Sequence, residues 1–86
     1  MKYPIAIEIG DEQYAYGVVF PDVAGCFSAG DTLAEALENA KEALSLHLEG
    51  LAEIGKKPPV PSTLEACRKL EEYKEWEWAE VEIELD

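Results

Sequence analysis

Glu80-Val81-Glu82-Ile83-Glu84-Leu85-Asp86 ends the sequence. Successive side chains of an extended chain point to opposite sides, so Val81, Ile83 and Leu85 share one face and Glu80, Glu82, Glu84 and Asp86 the other. The segment predicts a strand with one apolar and one strongly acidic face. Trp76 and Trp78 stand out of phase with this alternation. A bulge near Ala79, or a strand start there, accounts for the switch.

Upstream, Ser62 and Glu65 have the spacing of a capping box, which predicts a short helix reaching to about residue 72. Lys56-Lys57-Pro58-Pro59-Val60-Pro61 is a stiff connector, because each proline fixes its backbone near polyproline geometry. Before it, Leu33, Ala36, Leu37, Ala40, Leu44, His47, Leu48 and Leu51 recur at helical spacing and form one apolar stripe. Thr32 with Glu35 caps the start of this helix, and Gly55 stops it.

The first third alternates with period two. Tyr3, Ile5, Ile7 and Ile9 oppose Lys2, Ala6 and Glu8; Tyr14, Tyr16, Val18 and Phe20 oppose Ala15, Gly17 and Val19. The polar turn Gly10-Asp11-Glu12-Gln13 between them predicts an antiparallel hairpin. Pro21-Asp22-Val23-Ala24-Gly25 is a second turn, and residues 26–29 form a short third strand. The order is β-β-β-α-(α)-β, an α+β class with one mainly antiparallel sheet packed by a long helix. A right-handed crossover predicts that the last strand lies beside the first and parallel to it. Residues 1–86 read as one domain, with a connector at 55–61.

A domain this small buries only roughly 60% of the surface of its unfolded chain, and thin cores are often completed by oligomerisation. The aromatic mass of Tyr3, Tyr14, Tyr16, Trp76 and Trp78 suits a subunit interface, so a homodimer or tetramer is expected. The chain carries 19 acidic against 7 basic residues, a formal net charge of −12. Phosphate backbones and anionic membrane surfaces repel such a field, and a basic protein suits it. Cys26 and Cys67 give neither a zinc spacing nor a disulfide framework. With no signal peptide and no membrane-spanning run, a cytoplasmic location with free thiols is expected.

The residues offer little chemistry. His47 is the only histidine and sits on the apolar stripe. Cys26 reads as a buried strand residue rather than a nucleophile. A metal-dependent nuclease needs converging carboxylates. Glu8, Asp22, Asp31 and Glu35 are the candidates near strand ends, and turn or cap roles suit the last three. Gly25 and Gly30 are spaced wrongly for a phosphate loop. No cofactor, metal site or catalytic residue is expected.

The string Pro21-Asp22-Val23-Ala24-Gly25-Cys26-Phe27-Ser28-Ala29-Gly30-Asp31-Thr32 closely resembles the signature of the HicB antitoxin family. So do Glu35-Ala36, Asn39-Ala40, Glu42-Ala43 and Leu46-His47-Leu48, and the strands at Tyr3-Pro4-Ile5 and 15–20. The match is good over residues 3–61 and loose beyond. The resemblance implies a partial ribonuclease-H-like fold without its nuclease carboxylates. It also implies a partner, a small basic HicA toxin that cleaves messenger RNA with a single histidine. The antitoxin domain would cover that toxin's active surface.

Negative charge suits such a task. Glu8, Asp11, Glu12 and Asp22 at the loop ends, with Glu80, Glu82 and Glu84 on the last strand, are the candidate toxin contacts. Pro21, Asp22, Gly25, Cys26, Gly30, Asp31, Thr32, Glu35, Ala36, Asn39 and Ala40 belong to the family motif in structural roles. Many family members carry a C-terminal DNA-binding module. This sequence ends at Asp86, so no DNA binding by this chain is expected. Two rival readings are a residual metal-dependent nuclease and an orphan module that only oligomerises.

Overall fold

The computed structural model describes residues 1–83. Alternating apolar residues build β1 (Lys2–Glu8), β2 (Tyr16–Val19) and β3 (Phe27–Gly30), and the long apolar stripe builds α1 (Leu33–Glu53). A single-turn helix α2 (Leu64–Cys67) and a 3-10 turn (Glu71–Tyr73) lead into β4 (Glu77–Glu82). The four strands form one sheet in the order β3-β2-β1-β4.

Every neighbouring pair in that sheet is antiparallel. This corrects the parallel placement expected for the last strand. The crossover rule assumes that one helix returns the chain to the end where the next strand starts. Here the connector reaches the Tyr3 end of β1, where the Tyr3 hydroxyl donates to the Pro59 carbonyl at 2.6 Å. The chain then travels back before β4 begins opposite Ile7. That second passage reverses the strand.

The register from Lys2↔Glu82 to Ile7↔Glu77 is unbroken, so no bulge lies at Ala79. Trp78 pairs across from Ala6 and shares its face. The tryptophans break the sequence alternation because the outer face of the sheet has its own cover. Tyr73 meets Trp76 edge-on at 5.2 Å and Trp78 at 5.9 Å between ring centroids. α2 packs on β4, Cys67 is buried, and Pro4 and Ala6 on β1 are fully buried. The expected fourth strand also included Glu84, Leu85 and Asp86, which lie outside the described residues.

On the inner face, Tyr3, Ile5, Ile7, Val18, Phe20, Val81 and Ile83 meet Ala36, Ala40, Leu44 and Leu48 of α1 in one core. The helix lies close against β3. The Ser28 hydroxyl donates to the Ala36 carbonyl at 3.1 Å, and the Asn39 amide donates to the Ala29 carbonyl at 2.9 Å. A Cβ on Gly30 would stand 2.5 Å from the Ala36 nitrogen, so only glycine allows this approach.

Local chemistry moves several boundaries. The Asp11 carboxylate accepts from the Gln13 and Tyr14 amides at 2.7 and 2.9 Å. This Asx turn removes Tyr14 from the ladder, and Tyr14 is 71% exposed. The Cys26 amide donates to the Val23 carbonyl, so β3 starts one residue later than expected. The Glu35 amide donates to the Thr32 hydroxyl at 3.1 Å, the first half of the expected capping box. At the far end, the Gly55 amide reaches the Ala52 carbonyl and the Lys56 amide the Leu51 carbonyl. With Gly55 at φ 77°, this is the Schellman stop. The second cap differs from expectation: Thr63, not Ser62, caps α2, through the Ala66 amide. Ser62 is held by Asp22 instead.

Gly30→Ala is expected to lower stability by about 1–3 kcal/mol, because the backbone of α1 must give way. Gly50→Ala, in mid-helix with open space around it, is expected to raise stability by roughly 0.5–1 kcal/mol. Urea unfolding of the two variants checks both signs.

Candidate functional site

The acidic residues singled out in the sequence do not converge on one site. Glu8 is exposed at the end of β1, with Asp11 and Glu12 exposed in the turn beyond it. Asp11, Glu12, Tyr14 and Asp31 border an open recess of about 210 Å³ at this end of the sheet. Asp22 lies at the other end, by Tyr3. Glu80 and Glu82 line the outer side of β4, with the Lys2 ammonium 3.9 Å from Glu82. Glu84 falls outside the described residues.

Asp22 does structural work. Its carboxylate accepts from both the Ser62 amide and the Ser62 hydroxyl, each at 2.7 Å. This bidentate tie spans 40 residues and fixes the connector beside the second turn. The Tyr3–Pro59 hydrogen bond secures the same connector from the sheet side. Sequence reading missed this clasp. One signal was available: a tyrosine placed among the core positions of a strand needs a partner for its hydroxyl.

The other motif residues build the scaffold. The turn at 21–25 closes through the Val23 amide to the Phe20 carbonyl and the Phe20 amide to the Cys26 carbonyl, with Gly25 at φ 80°. Cys26, Ala36 and Ala40 are core, and Thr32 caps α1 with Glu35 in its first turn. Asp31 stays exposed. Burial pushes the Cys26 thiol above its ordinary pKa. Burial does the same to the Tyr3 phenol and the Cys67 thiol, and the Asp22 charge adds to both.

Raised thiol values leave little thiolate, so neither cysteine is poised as a nucleophile. His47 is half-buried on α1. Among the described residues no group of three His, Cys, Asp or Glu side chains could hold a metal ion. Glu8 and Asp22, two of the carboxylates weighed for a nuclease, stand at opposite ends of the sheet. No described helix is long and apolar enough to cross a membrane. What the surface offers is acid on an open sheet edge and at the loop ends.

Residues 3–86 match the family described as HicB-like antitoxin of bacterial toxin–antitoxin systems. The chain belongs to this family. A 14.9 kDa protein from the rep–hol intergenic region of Haemophilus phage HP1 is 46% identical over 85 residues, which is 99% of this chain. The chain spans 62% of that phage protein's length. The N-terminal domain of Burkholderia pseudomallei antitoxin HicB superposes with a TM-score of 0.84 at 36% identity, covering 99% of this chain and 100% of that domain. A chain of the HicA3 and HicB3 toxin–antitoxin complex superposes with a TM-score of 0.82 at 35% identity, covering 99% of this chain and all of that one. In this chain residues 21–40 contribute a turn, a close helix approach, a cap and, through Asp22, a clasp on Ser62.

The raised phenol and thiol values set an alkaline limit on stability. Tyr3, Cys26 and Cys67 hold their protons more tightly folded than unfolded. Their contribution is complete below the ordinary thiol value of 9.0 and phenol value of 10.0, and is lost as pH rises past the folded values. Unfolding free energy should fall between neutral pH and pH 11 (roughly). Asp22→Asn is expected to lower stability at neutral pH by about 1 kcal/mol and to make that alkaline decline shallower.

Proposed function

We propose that this HicB-like chain is an antitoxin that binds a small basic HicA-type ribonuclease and covers its active surface. The observation that carries the reading is a net charge of −12 on a fold shared with the antitoxin of a toxin–antitoxin complex. A protein built to hold RNA phosphates presents cationic side chains, and an acidic domain complements them and speeds encounter. Blocking a surface requires rigid shape and charge, not a catalytic group, so the lack of a poised nucleophile suits the role. The same charge opposes DNA binding by this domain, and we assign it none. A cytoplasmic location, where a messenger-cleaving partner acts, and assembly as a dimer or dimer of dimers complete the proposal.

The acidic candidates divide by what holds them. Asp11 and Asp22 carboxylates are already engaged by backbone groups of this chain. Glu8, Glu12, Glu80 and Glu82 are exposed and, among the described residues, make no such bond to the backbone, so they are the better contacts.

Purified chain mixed with the small basic protein encoded beside it should form a complex on size exclusion and stop that protein's cleavage of RNA. Raising the salt from 50 to 500 mM (approximately) should weaken the complex mainly through slower association, since steering is screened. Undiminished RNA cleavage at a several-fold excess of this chain would remove the reading.

A further inference from the structure

The two edges of the sheet differ. On the β3 edge, the Asn39 amide already occupies the Ala29 carbonyl. β4 forms the opposite edge. Met1 and Ile83 exchange two hydrogen bonds, nitrogen of each to oxygen of the other, both at 2.8 Å. Bonded and non-bonded pairs alternate along an antiparallel ladder. The bonded pairs are therefore Met1:Ile83, Tyr3:Val81, Ile5:Ala79 and Ile7:Glu77 in the observed register. The N–H and C=O groups of Trp78, Glu80 and Glu82 consequently point away from β1, into the space beyond the sheet. Among the described residues no backbone group bonds to them.

An open edge of this length is a template for an added strand. Charge decides which strand. Glu80 and Glu82 alternate along the edge and share the outer face, so a second copy pairing here would set carboxylates against carboxylates. A strand with Lys or Arg at alternate positions would instead place a cation beside each.

We propose that the basic partner docks by adding one of its own strands to β4, pairing its backbone with Trp78, Glu80 and Glu82 and its cationic side chains with the two glutamates. This rests on the antitoxin reading and specifies its contact. Unpaired edge groups give the attachment, and the glutamates select a basic strand over a copy of the same chain.

The test uses the whole chain and the small basic protein encoded beside it. In amide hydrogen exchange, the Trp78, Glu80 and Glu82 amides should exchange fast in the free chain and slow by on the order of 100-fold in the complex. Glu80→Pro removes an outward N–H while sparing the bonds to β1, as an edge position permits. It should keep the fold by circular dichroism and weaken the complex by about 10-fold or more. Glu80→Lys with Glu82→Lys should weaken it by on the order of 100-fold. A complex that forms while these amides stay unprotected overturns the edge contact and leaves the antitoxin reading standing. Protection that appears in the chain alone, rising with its concentration, assigns the edge to a second copy and also overturns it. If the unaltered chain forms no complex at all, both readings fall together. Exchange in the unaltered chain decides the matter even where the proline variant does not fold.

Discussion

The grip that Asp22 and Tyr3 keep on the connector fixes where the chain leaves one face of the sheet for the other. Ser62 is bound twice by the Asp22 carboxylate, and the Pro59 carbonyl takes the Tyr3 hydroxyl. Together these bonds hold the proline-rich stretch against the end of the sheet where β1 begins. From there the chain returns along the outer face before β4 starts opposite Ile7. That return sets the direction of β4, supplies the outer layer of Cys67, Tyr73, Trp76 and Trp78, and buries Pro4 and Ala6. A small domain thereby covers part of both faces of one sheet.

The elements legible in the sequence were those with a strong local period. Alternation in β1 and β2 and the apolar stripe of α1 each encode a face. Thr32 and Gly55 mark the helix ends through local hydrogen bonds. Their identity follows from residues a few positions apart, so the sequence displays them directly. The direction of β4 was not legible, because it depends on the return passage through α2 and the 3-10 turn, and the start of that passage is tied to Asp22 through Ser62 across 40 residues. Nothing in the local pattern of either residue announces the other. Ser62 even carried a misleading capping signal, since Glu65 follows at the right spacing while Thr63 takes the cap.

The acidic character of the surface was legible, but not how its carboxylates are placed and held. Charge alone pointed to a basic partner; the family match is to antitoxins of bacterial toxin–antitoxin systems. Composition cannot show that Asp11 and Asp22 are committed to turns and ties, while Glu80 and Glu82 flank unpaired backbone groups. That distinction rests on the parity of the ladder. The order β3-β2-β1-β4 puts the uncharged strand β3 and the glutamate-rich strand β4 on opposite margins. One margin is partly blunted by Asn39, and the other carries outward backbone groups flanked by glutamates.

The two thiols lie in different layers. Cys26 belongs to the core beneath α1, whereas Cys67 is buried outside that core, in the helix that packs on β4. Neither reacts readily while its layer is closed, so a thiol-alkylating reagent would find each sulfur only when that layer opens. Without any engineered label, the molecule thus carries two independent reporters of breathing, one for each side of its sheet. Their relative modification rates would rank which side loosens first.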